Sequence, residues 1–167
     1  MIQYVTSANL MDFSGSQGQN VLVVHVCNNA GRWGAGFTGS ISEVTSLPET
    51  AYRAWKLGSP GRNPTSGACA LGEVQLVCFE EGCYVLNMVA QRGTRRQRTD
   101  VCLDYPALDR TLFLAARWAE ALSRNEASLK VRMPRIGCGL AGGTWERVGP
   151  MVEQHLGEFD VTVFDLP

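Results

Sequence analysis

The chain has 167 residues, a net charge of −1 and a hydrophobic fraction of 45%. These values predict one globular domain over residues 1–167, and they argue against a protein whose main role is to grip nucleic acid. No apolar run approaches the roughly 18–20 residues needed to span a bilayer, and the N-terminus lacks the basic and apolar regions of a signal peptide, so a cytoplasmic location without membrane contact is expected.

The first third of the chain predicts a short strand at 2–6 and a strand buried on both faces at 21–26, VLVVHV. A glycine-rich loop at 27–39 follows. Short helices are predicted at 40–44 and 47–58, the second with a proline in its first turn and a glycine at its end. Residues 59–67 are rich in Pro, Gly, Asn and Ser and predict a loop.

The remainder begins with strands at 72–79 and 83–90, joined by a tight turn at 80–82, and continues with a basic loop at 91–103. Asp104 is expected to cap a helix that runs to about Ser123. The order is completed by a strand at 130–136, a helix that Thr144 caps and that runs to about Leu156 before Gly157, and a last strand at 160–166. Pro150 lies too deep for a first turn, so we expect this last helix to become regular only near Gly149.

Strands that alternate with helices predict a three-layer α/β/α domain with a mixed or mostly parallel central sheet. The six cysteines show no CxxC spacing, which indicates reduced thiols and predicts neither a metal site nor a cofactor. The sequence leaves the oligomeric state open.

Two glycine-rich loops each follow a buried strand, and the second, in MPRIGCGLAGGTWERVG (133–149), leads directly into a helix. Ligands of open α/β sheets bind at the carboxyl ends of strands, and the N–H groups at a helix start attract anions. Residues 137–144 therefore predict a phosphate cradle, and residues 28–36 a second wall. The spacing matches neither the usual dinucleotide nor the Walker pattern.

The stretches VVHVCNNAGRWGAGFTGSIS, VLNMVAQ and MPRIGCGLAGGTWERV resemble the macrodomain family over nearly the whole chain. They are most similar to the branch that contains the terminal ADP-ribose protein glycohydrolase and the yeast-type ADP-ribose-1''-phosphate phosphatase. The resemblance implies a mixed sheet of about six strands between helices, and ADP-ribose or an ADP-ribosylated protein as the partner. It places the first loop at the distal ribose and the second at the diphosphate.

On this resemblance, Asn9, Phe164 and Asp165 are expected near the adenine, and Asn28 near the distal ribose hydroxyls. Asn28 and Gln91 are the candidate catalytic residues. The full set of expected ADP-ribose contacts is Asn9, Asn28, Asn29, Trp33, Gly34, Ala35, Gly36, Phe37, Gln91, Arg92, Gly137, Cys138, Gly139, Leu140, Ala141, Gly142, Gly143, Phe164 and Asp165.

Several of these residues have ordinary structural interpretations that stay open. Asn28 and Asn29 also suit loop turns, and Phe164 also suits the core. His25 is interpreted as a buried core histidine rather than a general base. A nucleophilic pairing of Cys138 with His25 is disfavoured, although a helix start can lower a thiol pKa. The arginines of the 92–98 loop are interpreted as solvated, with contact to phosphates or nucleic acid as the alternative.

The sequence departs from the family pattern at positions that carry chemistry. Ala8 stands where many macrodomains have an adenine-reading aspartate, and Asn9 is a possible substitute. The glycohydrolase branch uses a lysine and an aspartate where this chain has Ala90 or Gln91, and Ala141. That mechanism therefore cannot be transferred to this chain.

Three functional interpretations follow. The first is a hydrolase that removes mono-ADP-ribose from Asp or Glu side chains, with a water oriented by the substrate's diphosphate and positioned by Asn28, Gln91 or Arg92. The second is a non-catalytic ADP-ribose reader, which the missing lysine and aspartate favour. The third is a module that binds nucleic acid or ADP-ribose polymer, and an ADP-ribose-1''-phosphate phosphatase remains a further alternative.

Overall fold

The computed structural model describes residues 2–58, 68–97, 99–124 and 128–166. The predicted loop at 59–67 and Arg98 of the basic loop lie outside these residues. The elements in chain order are β1 (Ile2–Thr6), β2 (Asn20–Asn28), α1 (Phe37–Val44), α2 (Leu47–Lys56), β3 (Val74–Glu80), β4 (Cys83–Gln91), α3 (Tyr105–Leu122), β5 (Leu129–Pro134), α4 (Trp145–Leu156) and β6 (Asp160–Asp165).

The strands form a six-stranded sheet in the order β1-β6-β5-β2-β4-β3. Every neighbouring pair is parallel except β3 and β4, which form an antiparallel hairpin. The expected mixed α/β/α sandwich is thus confirmed. Because β2, β4, β5 and β6 run in the same direction, the loops that follow them meet at one edge of the sheet.

Alternate residues of the central strands face two separate cores. On one face, Leu22 and Val24 of β2 pack in the same cluster as Leu108 of α3 and Val152 of α4. On the other face, residues such as Val23 pack with Ile41 of α1, and the end of β2 packs against α2. Both faces of β2 are covered, which explains its near-continuous apolar sequence.

Helix α3 follows the prediction closely. The Asp104 carboxylate accepts a hydrogen bond from the Ala107 N–H at 2.9 Å, which satisfies one of the free donors of the first turn. Leu108, Leu112 and Ala115 are completely buried along one stripe. The cap and the apolar periodicity together fix where this helix starts and which side faces the sheet.

Helix α4 corrects one expectation. It begins at Trp145 directly after Thr144 and is regular from there, although Thr144 makes no side-chain cap bond. Pro150 lies within the helix rather than before its regular part. Pro150 is exposed to solvent, so the carbonyl group that loses its helical partner can be hydrated, which lowers the cost of an internal proline.

Within the described ranges, no helix combines the length with the apolar composition that a bilayer-spanning segment needs.

Candidate functional site

A cleft of about 1140 Å³ lies at the carboxyl edge of the sheet, between the loops that follow β2, β4 and β5. The predicted ligand contacts that line it are Asn28, Trp33, Ala35, Gly36, Phe37, Gln91, Gly137, Gly139, Leu140 and Ala141. Both glycine-rich loops therefore contribute to one cavity, as the topology requires. The other predicted contacts, Asn9, Asn29, Gly34, Arg92, Cys138, Gly142, Gly143, Phe164 and Asp165, are not part of its lining.

The first loop is held in place by Asn28 and by a tyrosine from α2. The Asn28 side-chain oxygen accepts from Ala30 N–H at 3.0 Å and from Arg32 N–H at 3.1 Å, and its amide nitrogen donates to the Arg32 carbonyl at 2.8 Å. The buried Tyr52 hydroxyl donates to the Asn28 main-chain carbonyl at 2.5 Å and accepts from Gly31 N–H at 3.1 Å. Asn28 thus shapes the loop with most of its hydrogen-bonding capacity.

Asn29 joins the first loop to the loop that follows β4. Its side-chain oxygen accepts from Gly93 N–H at 2.7 Å, and its own N–H donates to the Gln91 carbonyl at 3.0 Å. Gln91 donates its side-chain amide to the Gly93 carbonyl at 3.1 Å. The Gln91 side-chain oxygen has no partner within the described residues, and Gln91 lines the cleft.

The second glycine-rich loop packs tightly against residues 100–103. A Cβ on Gly142 would lie 2.5 Å from the Asp100 carbonyl oxygen, and one on Gly143 would lie 2.5 Å from the Leu103 side chain. The Ala141 carbonyl accepts from the N–H groups of Cys102 and Leu103. These glycines therefore serve close packing within the protein, whereas a Cβ on Gly139 would meet nothing within 4 Å.

Several main-chain N–H groups at the cleft find no acceptor among the described residues. Within the described ranges, none is recorded for Gly139, Leu140 and Ala141 in the second loop, or for Ala35 and Gly36 just before α1. The two loops come close together at this point, since a Cβ on Gly36 would lie 3.4 Å from the Leu140 side chain. Unpaired amides beside a helix start form an anion-binding arrangement.

The charged side chains that line the cleft are all arginines: Arg32, Arg53, Arg95 and Arg135. Arg32, Arg53 and Arg135 were not among the site residues predicted from the sequence. Arg135 could have been predicted from its position directly after β5, within the motif MPRIGCGLAGGTWERVG. No aspartate, glutamate or lysine of the described residues lines the cleft.

Two of these arginines are paired with carboxylates. Arg53 donates to Glu49 at 2.9 Å. Arg135 forms a two-point ion pair with Asp165, which raises the pKa of Arg135 and lowers the pKa of the Asp165 carboxyl. The Arg135 guanidinium also lies 5.6 Å from the Tyr4 ring centre and 5.5 Å from that of Trp145.

His25 lies on β2, where its side chain is 2% exposed and borders the cleft. Its Nε2 atom is 2.6 Å from the side-chain oxygen of Asn87. The Asn87 amide nitrogen donates to the Pro48 carbonyl and to Gln75, which fixes the orientation of the amide. His25 Nε2 must therefore carry the proton, and Nδ1 is a buried acceptor without a partner among the described residues.

Burial lowers the pKa of His25 to about 4, against a smaller opposing effect of the Asn87 hydrogen bond. A neutral His25, edge-on to the Trp33 ring at 5.4 Å, matches the core histidine that was predicted. Burial raises the pKa of the Cys138 thiol to about 11. Both shifts argue against a thiolate and imidazolium pair.

The remaining predicted contacts take up other positions. Arg92 reaches away to pair with Asp104 at 2.8 Å. Asn9 accepts from Met11 N–H at 3.0 Å in its own turn, and Phe164 is 7% exposed in a hydrophobic cluster. Phe164 and Asp165 precede Leu166, which does line the cleft.

Comparison with solved structures gives several close matches, whereas no family model and no curated protein sequence matches the chain. A macrodomain protein from Streptomyces coelicolor is 36% identical over 100% of both chains, with a TM-score of 0.77. A protein from Bacteroides thetaiotaomicron is 33% identical over 99% of this chain and 100% of its own, with a TM-score of 0.82. DarTG from Thermosipho africanus, solved in complex with ADP-ribose, is 15% identical over 98% of this chain and 42% of its own; its TM-score of 0.65 shows a shared fold.

Replacement of Tyr52 by phenylalanine tests how the first loop is held. Tyr52→Phe leaves the Asn28 carbonyl and Gly31 N–H without their partner, so we expect the free energy of unfolding to fall by about 1–3 kcal/mol. Urea denaturation measures this change. Tyr84→Phe is the matched control, because the Tyr84 hydroxyl has no hydrogen-bond partner among the described residues. Equal effects of the two substitutions would contradict the assignment.

The low pKa of His25 predicts a particular pH dependence of stability. The unfolded chain binds a proton on His25 near pH 6.5, whereas the folded protein does so only near pH 4. The free energy of unfolding should therefore be highest above pH 6.5 and fall by up to about 3 kcal/mol as the pH drops towards 4. His25→Gln should flatten this decline in urea titrations, while His155→Gln should retain a decline. An unchanged slope in His25→Gln would refute the buried neutral state.

Proposed function

This chain belongs to the macrodomain family, and from that premise we propose that it binds ADP-ribose in the cleft and releases it from aspartate or glutamate side chains of proteins. The binding proposal rests on the main-chain amides of the two glycine-rich loops, which line the same cleft and have no acceptor among the described residues. Such amides suit a diphosphate, which is compact, anionic and rich in acceptor oxygens. The complex of the Thermosipho relative with ADP-ribose supports the ligand class.

The proposed orientation follows from the order of the strands. The diphosphate lies between the amides of 35–36 and those of 139–141. The distal ribose extends towards Asn28 and Gln91, at the ends of β2 and β4. The adenosine extends towards the end of β6, where Leu166 lines the cleft beside the buried Phe164. An extended ligand thus crosses the sheet edge from β6 to β4.

The proposed hydrolysis uses no protonating or deprotonating side chain of the protein. Of the titratable groups at the cleft, His25 is neutral at physiological pH, and the pKa of Cys27 is raised by burial. A water held by the free Gln91 side-chain oxygen and by the substrate's diphosphate attacks C1'' of the distal ribose. The bond from C1'' to the carboxyl oxygen breaks, the carboxylate stays on the substrate protein, and the proton of the water passes to solvent.

The alternative is a reader that binds ADP-ribose without cleaving its linkage. The absence of a carboxylate or lysine among the described lining residues favours this alternative. The ester to an anomeric carbon is a labile bond, however, so fixed dipoles and proximity suffice to accelerate its hydrolysis. A binding measurement followed by a release measurement on one sample separates the two functions.

Gly139→Glu is the sharpest test of binding, because a Cβ at this position meets no protein atom within 4 Å. The new carboxylate would face the diphosphate, so we expect the affinity for ADP-ribose to fall by about 100-fold or more in calorimetry. Gly139→Gln adds nearly the same volume without charge and should lose less affinity. If Gly139→Glu bound ADP-ribose as well as the wild type, the phosphate site would have to lie elsewhere.

Measuring the release of ADP-ribose from an Asp/Glu-ADP-ribosylated protein tests whether the protein catalyses the proposed hydrolysis. We expect catalysed release, after subtraction of the spontaneous rate, to vary little between pH 6 and 8, because no lining group is predicted to titrate there. Gln91→Leu should lower the rate by about 10-fold or more while ADP-ribose still binds. Binding without release would identify a reader, and a bell-shaped pH profile would contradict the mechanism.

A further inference from the structure

The arginines of the cleft differ in whether their charge is already neutralised. Arg53 and Arg135 are paired with Glu49 and Asp165. Arg32 and Arg95 have no carboxylate partner within the described residues, although the chain as a whole carries a net charge of −1. Two unpaired guanidinium groups, in a cleft that no described acidic residue lines, leave a local positive potential that the proposed diphosphate site does not account for.

Both unpaired arginines lie at the same end of the cleft. Arg32 follows β2 and Arg95 follows β4, and the two loops are tied together by the bond from Gly93 N–H to the Asn29 side chain. Arg135 follows β5 and pairs with the end of β6, on the opposite side of β2 in the sheet. Arg32 and Arg95 thus lie at the end that the orientation above gives to the distal ribose.

The main chain around both residues is fixed, while their guanidinium groups are free to bind. The Arg32 N–H and carbonyl are both held by the Asn28 side chain. Arg95 donates only its Nε to the Gln97 carbonyl, at 2.8 Å. Its two terminal nitrogens stay unpaired within the described part of the chain, and these are the atoms that form two-point contacts with carboxylates.

We propose that Arg32 and Arg95 bind carboxylates of an acidic peptide segment that flanks the ADP-ribosylated side chain, so that the substrate class is a modified acidic stretch of protein. This inference rests on the proposed function, since it takes the orientation of ADP-ribose from there. The modified side chain leaves the distal ribose at this end of the cleft. Acidic residues beside it therefore come within reach of the two unpaired guanidinium groups.

The surroundings favour a peptide over a single-stranded nucleic acid, whose bases would need exposed aromatic rings for stacking. The Trp33 ring is bound through its N–H to Ser42 at 2.8 Å and packs against His25 and Tyr52. Trp55 is 5% exposed, and Tyr52 is completely buried. Trp33 and Phe37 line the cleft but are only partly exposed, so none of these described rings is a fully exposed platform for stacking.

The test compares two ADP-ribosyl peptides joined through a stable, non-ester linkage, one with aspartate and glutamate neighbours and one with serine and glycine neighbours. We expect the wild type to bind the acidic conjugate about threefold to tenfold more tightly, since each exposed ion pair contributes modestly. The preference should shrink as salt is added. The double variant Arg32→Gln/Arg95→Gln should lose the preference, and because a ratio is measured, any change in affinity for ADP-ribose itself cancels.

Arg117→Gln/Arg124→Gln is the matched control, because it removes the same charge from exposed positions on α3 and after it. It should keep the preference of the wild type. Equal affinities of the wild type for the two conjugates, or a preference that survives in Arg32→Gln/Arg95→Gln, would overturn the proposal. Tighter binding of an ADP-ribosyl oligonucleotide than of the acidic conjugate would also overturn it. Titration with free ADP-ribose reports separately whether the underlying function fails.

Discussion

The close packing of the second glycine-rich loop on residues 100–103 is the constraint on which the site depends. Gly142 and Gly143 approach Asp100 and Leu103 so closely that neither position has room for a side chain. The Ala141 carbonyl is turned inward, towards the N–H groups of Cys102 and Leu103. The N–H groups of 139–141 have no acceptor within the described residues, and these three residues line the cleft. The proposed anion site therefore lies on a loop whose position is fixed by internal packing.

The first loop also carries unpaired main-chain amides, but different contacts hold it in place. Asn28 closes a turn around residues 30–32, and Tyr52 from α2 fixes the base of that turn. Within the described part of the chain, the amides of Ala35 and Gly36 remain unpaired at the start of α1, close to Leu140. Two independent loops thus present donors, and no lysine or carboxylate of the described residues lines the cleft. In the proposed function such a site acts through fixed dipoles, and its chemistry depends on groups that the substrate brings.

The sequence predicted the fold well because its signals are local. The apolar run of β2, the Asp104 cap and the stripe on α3 each depend on residues close in sequence. The prediction that α4 starts irregularly was wrong, because the solvent exposure of Pro150 cannot be read from its neighbours in the sequence. The roles of the site residues were harder to predict, because they depend on contacts between residues that are distant in the sequence. Tyr52 lies 24 positions from Asn28, and the packing partners of Gly142 and Gly143 lie about 40 positions earlier in the chain, so only the folded structure shows what these residues do.

The most direct test of the account is amide NMR of the labelled protein during titration with ADP-ribose. If main-chain donors hold the diphosphate, the largest changes should occur at the N–H groups of Ala35, Gly36, Gly139, Leu140 and Ala141. The N–H groups of Cys102 and Leu103, already bonded to Ala141, should change much less. Saturable binding whose changes lie away from both glycine-rich loops would contradict the account, as would the absence of any change.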